Sequence, residues 1–349
     1  MRPPRFSKPR RSFREGILPL SERPFSISAV RLSAVDMEDQ TCRITTETSN
    51  ASLMDSIERV GLMSPPLLIP KKTESNAEGM QSPCFTIVCG FRRIAVCQDL
   101  GWSDIEARVL GPDTASSDCV KFAIGDNALQ RSLNLIETSR SLCLLAEVFK
   151  ADELVSMAKA LGLPDNPSVI RKIMPLCLLP DIIQNGILSG ILSMPVALEL
   201  GTFDPPDAGT AFAVLFETLR LSLSKQREVI TLVREIAIRE DISILDVLHG
   251  DHLQEILGDD DLDRNQKARS VRLYLRQRRF PAITHAERAF ERHVRDLKLG
   301  NQMKLIPPAN FEGNVYTLSM CFSNLAELKS LRTSFDQLIR NPSLEKILS

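Results

Sequence analysis

The stretch Cys89-Gly90-Phe91-Arg92-Arg93-Ile94-Ala95 carries the residues best suited to chemistry. Gly90 permits a close backbone approach, and the first N–H groups of a following helix point the same way as two fixed guanidiniums, which is how anions are held. The chemistry implied is phosphate binding, with Gly90, Arg92 and Arg93 as its residues. The alternative is a solvated helix start, because paired arginines are common there. The elements that must position these residues are legible on both sides. Phe85-Thr86-Ile87-Val88 reads as a short buried strand, and Ile94 to Leu100 has helical spacing that stops at Gly101.

Two further blocks flank this one. Upstream, Leu53 to Ile69 contains a short amphipathic helix with Ser56 and Ile57, a stop at Gly61, a turn at Pro65-Pro66 and a strand. Downstream comes Asp126-Asn127-Ala128-Leu129-Gln130-Arg131, then Leu133-Asn134-Leu135-Ile136-Glu137. In this order and at about this spacing, the three blocks resemble the N-terminal domain of the ParB partition proteins, whose fold is shared with sulfiredoxin. There the blocks look like SIxxxGxxxP, GERRxRA and ENxxRxxLNPIE. The resemblance extends over roughly residues 25 to 250.

What that resemblance implies is a pocket for CTP with Mg²⁺. Gly90, Arg92 and Arg93 would face the phosphates, Asp126 and Asn127 would lie near the metal, and Arg131 and Arg43 would complete the nucleotide site. Asp126 stands for the family Glu, and Arg131 lies one place later than the family arginine. Two departures bear on hydrolysis. Phe91 replaces the Glu of GERR, and Ser64 replaces the Gln that commonly precedes the first-block proline. Phosphate binding survives such changes, but placing a water for attack depends on orientation and charge, so weak or absent CTP hydrolysis is expected.

Composition sets the outer limits. The 349 residues exceed a usual single domain, and 43% hydrophobic with 25% charged residues describes a globular chain. No apolar run has membrane-spanning length, so no membrane partner is expected. A net charge of −1 confines any nucleic-acid contact to local basic patches. The eight cysteines lie mostly in apolar segments with no C-x-x-C pair, as expected of reduced thiols in a cytoplasmic protein. His249-Gly250-Asp251-His252 reads as a polar turn rather than a metal site, since no thiolate pair or H-E-x-x-H helix accompanies it. The dinucleotide fingerprint GxGxxG is absent.

Four segments are expected. Residues 1–24 form a basic arm, with six basic residues and no acid up to Arg14. It is either a solvated tail, a nonspecific phosphate contact or, by the resemblance, the arm that touches a ParA-type ATPase. Residues 25–115 form a small α/β domain of the ParB and sulfiredoxin type, with strands at Phe25–Val30, Leu67–Pro70, Phe85–Val88 and Ile105–Leu110 and a polar hairpin at 73–83. Residues 116–250 are helical. Here a helix capped by Asp152 and stopped by Gly162, then a helix started by Asn166-Pro167, are compatible with a helix-turn-helix or with two core helices. Leu178 to Gln184 and Gly190 to Leu198 resemble the ParB segments LLxLPxxVQ and GxLSxGHA. That likeness places the recognition helix at about 168–174, where Ser168, Arg171 and Lys172 can reach DNA and few bidentate donors are present.

Residues 251–349 supply a basic helix and a terminal strand and helix. Arg269, Arg272, Arg276 and Arg279 fall within about a quarter turn of one helix face. They could track a phosphate backbone or simply complement the helix dipole. Tyr316, Leu318, Met320 and Phe322 alternate as a strand, and Asn324 with Glu327 caps a helix bearing Leu328, Leu331, Phe335 and Leu338. This end resembles the dimerisation end of ParB proteins, with packing onto the same chain as the alternative.

The expected fold class is therefore α+β. The expected function is a nucleotide-responsive, nucleoid-associated DNA-binding homodimer in chromosome or plasmid partition or in regulation. Two alternatives stand beside it. One is an enzyme of the same fold, a small-molecule kinase or nuclease using Asp126, Asn127 and Asp104. The other is a helical scaffold protein with a degenerate pocket.

Overall fold

The computed structural model describes residues 25–71 and 84–348; the basic arm and the hairpin at 73–83 lie outside them. The fold is α+β. By internal contacts the chain divides into two units, Met1–Leu188 and Ser189–Ser349, so the sheet and the paired short helices belong to one unit.

In the first unit, strand β1 (Phe25–Arg31) leads through a 3-10 turn to β2 (Val35–Asp36), and helix α1 (Ala51–Val60) precedes β3 (Leu67–Pro70). Then come β4 (Phe85–Cys89), α2 (Phe91–Asp99), β5 (Asp104–Leu110) and α3 (Ser116–Ala128). The sheet order is β1-β5-β3-β4-β2. β1 runs antiparallel to β5 with Val30 opposite Ile105, β3 runs parallel to β5 and antiparallel to β4, and β2 runs parallel to β4. Because β3 and β4 are central, they carry the most apolar residues: Leu67, Leu68, Ile87 and Val88 are buried, as are Ile94, Val96 and Cys97 of α2.

Helices α4 (Leu135–Val148), α5 (Ala151–Ala160), α6 (Pro167–Ile173) and α7 (Asp181–Leu188) complete this unit, with a 3-10 turn at Met174–Leu178. Asn166 caps α6 by accepting from Ser168 N at 2.9 Å, with Pro167 in the first turn. The sequence placed the cap of the preceding helix at Asp152. The helix instead starts at Ala151 behind Lys150, and Asp152 sits in its first turn, where a carboxylate favours the dipole without capping.

The second unit begins with helices α8 (Met194–Leu200), α9 (Pro206–Leu219), α10 (Leu223–Glu240), α11 (Ile244–Leu248), α12 (Asp251–Gly258), α13 (Arg264–Arg279) and α14 (Pro281–Leu297). Phe212, Phe216, Val229, Val233, Ile236, Val271 and Leu275 form much of its interior. Strands β6 (Met303–Ile306) and β7 (Thr317–Met320) pair antiparallel, followed by α15 (Leu325–Ile339) and α16 (Pro342–Leu348). Leu297, Met303, Leu305, Leu331, Leu338 and Ile347 make a separate small core there. Among the described residues no helix is long and apolar enough to cross a membrane.

Candidate functional site

Strand β4 ends at Cys89, and Gly90 turns the chain into α2 with φ of 95°. A Cβ at Gly90 would stand 2.8 Å from Pro66 Cβ, so this position needs glycine both for its left-handed backbone and for the close pass of the β3 entry. The N-cap therefore has no side chain, and the first N–H groups of α2 receive no side-chain cap. They open onto a cavity of about 410 Å³ lined by Gly90, Arg92, Arg93, Asp126, Asn127 and Arg131, with Phe91, Ser64 and Thr45 among its other walls.

Six of the seven residues expected at a nucleotide site thus line one cavity. The seventh, Arg43, does not. It lines an adjoining polar cavity of about 490 Å³ with Arg140, Gln184 and Asn185, and the two cavities share Thr45. Arg43 donates to Gln40 Oε1 at 2.9 Å, a local bond that turns it away from the first cavity.

Each arginine of the site is already partnered. Arg92 donates to Asn50 Oδ1 (3.1 Å), Glu47 Oε2 (2.6 Å) and the Ser49 carbonyl (2.6 Å), fastening the segment that leads into α1. Arg93 donates to the Ser64 carbonyl (2.7 Å), Ser64 Oγ (2.8 Å) and Asp126 Oδ2 (2.9 Å). Arg131 grips Glu137 with both terminal nitrogens at 2.7 Å.

Glu137 was quoted in the third sequence block but given no role, and it is the hub of this corner at 1% exposed. Its carboxylate also accepts from Thr46 N and Asn134 N, both at 3.1 Å. Asn134 Oδ1 in turn accepts from Glu137 N at 2.9 Å, making a capping box at the start of α4. Burial acts to raise the Glu137 carboxyl, but the hydrogen bonds from Arg131, Asn134 and Thr46 outweigh it and hold the group below its ordinary value. The Asn-x-x-Glu spacing is the signal that could have found it. Arg108 is a second residue the sequence reading missed: its Nη2 lies 3.5 Å from Asp126 Oδ1 and its Nε donates to the Pro65 carbonyl. Nothing in the spacing of 108 and 126 announces that pair.

The metal reading of Asp126 and Asn127 does not fit these contacts. Both Asp126 oxygens face guanidiniums, and Asn127 Nδ2 donates to the Ala123 carbonyl at 2.9 Å. Among the described residues no group of three or more His, Cys, Asp or Glu side chains could hold a metal ion. His249 and Gly250 form the turn between α11 and α12, and His252 lies in the first turn of α12, where it meets Glu255 at 3.1 Å.

On α6, Ile170 and Ile173 are buried while Ser168, Arg171 and Lys172 are exposed. Ser168 Oγ is spent on Asn166 Oδ1 at 2.8 Å, which leaves Arg171 and Lys172 as the donors of this helix. The arginine stripe of α13 is neutralised by its neighbours. Arg272 pairs with Glu228 and Arg279 with Glu235 of α10, each at 2.6 Å, and Arg276 pairs with Glu287 of α14 at 3.2 Å. Arg279 also stacks on the Phe280 ring at 4.6 Å. The segment between Asp263 and Glu287 lacks acids, but the stripe finds them on the helices beside it. Arg269 stays exposed.

No family model and no curated protein matches the chain. Solved structures do. The chain covers 98% of a C-terminally truncated chromosome-partitioning protein ParB from Caulobacter crescentus complexed with CTP-gamma-S, over 55% of its own length, at 22% identity and a TM-score of 0.25. It covers 96% of the same bacterium's truncated ParB complexed to the centromeric parS site, over 57% of its length, at 20% identity and a TM-score of 0.30. A Pnob8-like ParB-N domain is covered to 97%, over 72% of this chain, at 12% identity and a TM-score of 0.32. Similarity at this level carries no function across by itself.

Proposed function

We propose that the chain is a ParB-like DNA-binding protein whose first unit takes up a nucleotide, CTP, through its phosphates, and that it hydrolyses this ligand weakly or not at all. The observation that carries the reading is the uncapped N-terminus of α2. Its free N–H groups, the left-handed Gly90 and the two following guanidiniums all border one cavity, which is the arrangement that binds phosphate. The ordered resemblance of the three sequence blocks supplies the choice of CTP.

Binding must compete with internal partners. An incoming phosphate would take Arg92 from Glu47 and Arg93 from Asp126, exchanging exposed or half-buried ion pairs for contacts with a ligand of higher charge. Mg²⁺, in this reading, enters with the nucleotide and not on a protein site. Hydrolysis is disfavoured because Phe91 is 7% exposed and apolar where a carboxylate would be needed.

DNA contact falls to α6 and to Arg269, with Arg272, Arg276 and Arg279 contributing only after their ion pairs open. The terminal strand and helix serve as the homodimer contact, and a ParA-type ATPase is the partner of the basic arm; the biological setting is chromosome or plasmid partition or nucleoid-associated regulation. Retention on duplex DNA, followed against salt, tests this: Arg171→Ala and Lys172→Ala should each lower the logarithmic salt slope by about one. Retention that ignores salt would contradict the reading.

A second reading is a helical scaffold protein in which the same arginines serve as braces. The specific observation in its favour is that Arg92, Arg93 and Arg131 are each ion-paired within the chain.

A further inference from the structure

Two half-buried cysteines on different elements meet in the first unit. Cys143 lies on α4 and Cys177 in the 3-10 turn after α6, and their sulfurs are 3.3 Å apart. The surroundings push them together. The Met174 carbonyl accepts from Ser139 Oγ at 2.9 Å and lies 3.3 Å from Cys143 Sγ and 3.5 Å from Cys177 Sγ, so one oxygen sits against both sulfurs. Ser139 Oγ also accepts from Cys177 N at 2.9 Å, fixing the turn beneath the second sulfur.

We propose that Cys143 and Cys177 are a redox modification site: a low-molecular-weight disulfide such as oxidised glutathione converts the pair to an intrachain disulfide that ties the end of α6 to α4. The chemistry balances in two exchanges. The Cys177 thiolate attacks one sulfur of the disulfide, forming a mixed disulfide and expelling one thiolate. Cys143, losing its proton to solvent, attacks Cys177 Sγ, and the second small thiolate leaves. The protein loses two hydrogens and the small disulfide is reduced to two thiols.

The order of attack follows from the environment. The neighbouring Cys143 thiol, donating to Cys177 Sγ, lowers the Cys177 thiol below its ordinary value, and Ser139 and Arg140 act in the same direction. The first deprotonation raises the second group, Cys143, which suits it to resolve the mixed disulfide rather than start it. Two sulfurs at this separation need to move only about 1 Å to bond. Burial instead raises Cys42, Cys89, Cys97 and Cys119, which suits them poorly to begin such an exchange.

The test is peptide mapping of the reduced full-length protein after brief exposure to oxidised glutathione and alkylation. The wild type should yield a Cys143–Cys177 linked peptide, reversed by dithiothreitol. Cys143→Ser should stop at a glutathione adduct on Cys177, and Cys177→Ser should give no linked peptide. Hydrogen exchange at 174–178 should slow on oxidation of the wild type and be unaffected in Cys143→Ser. Modification confined to the exposed Cys321, or a linked peptide with unchanged exchange at 174–178, would overturn the proposal.

Discussion

A buried carboxylate is expensive unless its oxygens are fully occupied, and Glu137 meets that condition with four donors drawn from Arg131, Asn134 and Thr46. Its lowered value fixes a sign. A carboxylate held lower in the folded chain than in the unfolded one contributes stability above the ordinary carboxylate range, and that contribution is lost as pH falls through the lowered folded value. Thermal melts should therefore decline on the acid side, below about pH 4, and Glu137→Gln should flatten that limb while costing about 2 kcal/mol at neutral pH. An unchanged acid limb in the variant would remove Glu137 from the account. Gly90→Ala is the companion substitution: the left-handed backbone and the Pro66 contact predict a loss of about 1–3 kcal/mol, read as a lower Tm. At this scale the sequence was informative where chemistry is local. Gly90, Arg92 and Arg93 lie within four residues on one turn, so their convergence follows from a strand, a glycine and a helix. The partners that occupy them, Glu47, Ser64 and Asp126, come from elsewhere in the chain, and no spacing rule brings them to mind. Asp126 illustrates this: its residue type suits a metal, and nothing in its spacing announces that Arg93 and Arg108 face its two oxygens in the ligand-free chain.

Elements were easier to read than their loading. Four of the five strands of the sheet, the Asn166-Pro167 start of α6 and the Asn324 cap of α15 carry short-range signals, and each forms; the two-residue β2 is too short to carry one. The arginine stripe of α13 shows the limit. Periodicity placed four arginines on one face, but it says nothing of Glu228 and Glu235 on α10, which turn that face into a packed, ion-paired seam. Arg272→Ala is accordingly expected to lower the Tm and to change the salt slope of DNA retention less than Lys172→Ala does, whereas Lys172→Ala should change the slope and leave the Tm alone. Salt titrations and melts on the same two variants check this. The terminal helix divides in the same manner. Leu331 and Leu338 are 5% exposed and pack on the small core, while Leu328 and Phe335, each 37% exposed, line a groove of about 330 Å³ with Met320 and Leu325. An amphipathic pattern could not tell which half of the apolar residues stays uncovered.

For the whole molecule, the homodimer contact proposed for that terminal segment predicts that Leu328→Asp with Phe335→Asp yields a monomer by sedimentation, with the helical content retained; a dimer that persists would contradict a contact through this groove. The order of causes runs from the pocket outward. Nucleotide uptake would release Glu47, Asp126 or both from their arginines, and those acids lie on the segment before α1 and on α3, so ligand and fold share the same ion pairs. The most direct test is calorimetry of the full chain with CTP against ATP and GTP in Mg²⁺, repeated on Arg92→Ala with Arg93→Ala. CTP-selective binding that weakens by about a hundredfold in the double variant, two charge-assisted contacts at about 1.5 kcal/mol each, is the predicted result. No heat with any nucleotide, in a wild type shown to be folded, would contradict the account and leave the arginines as braces of a scaffold protein.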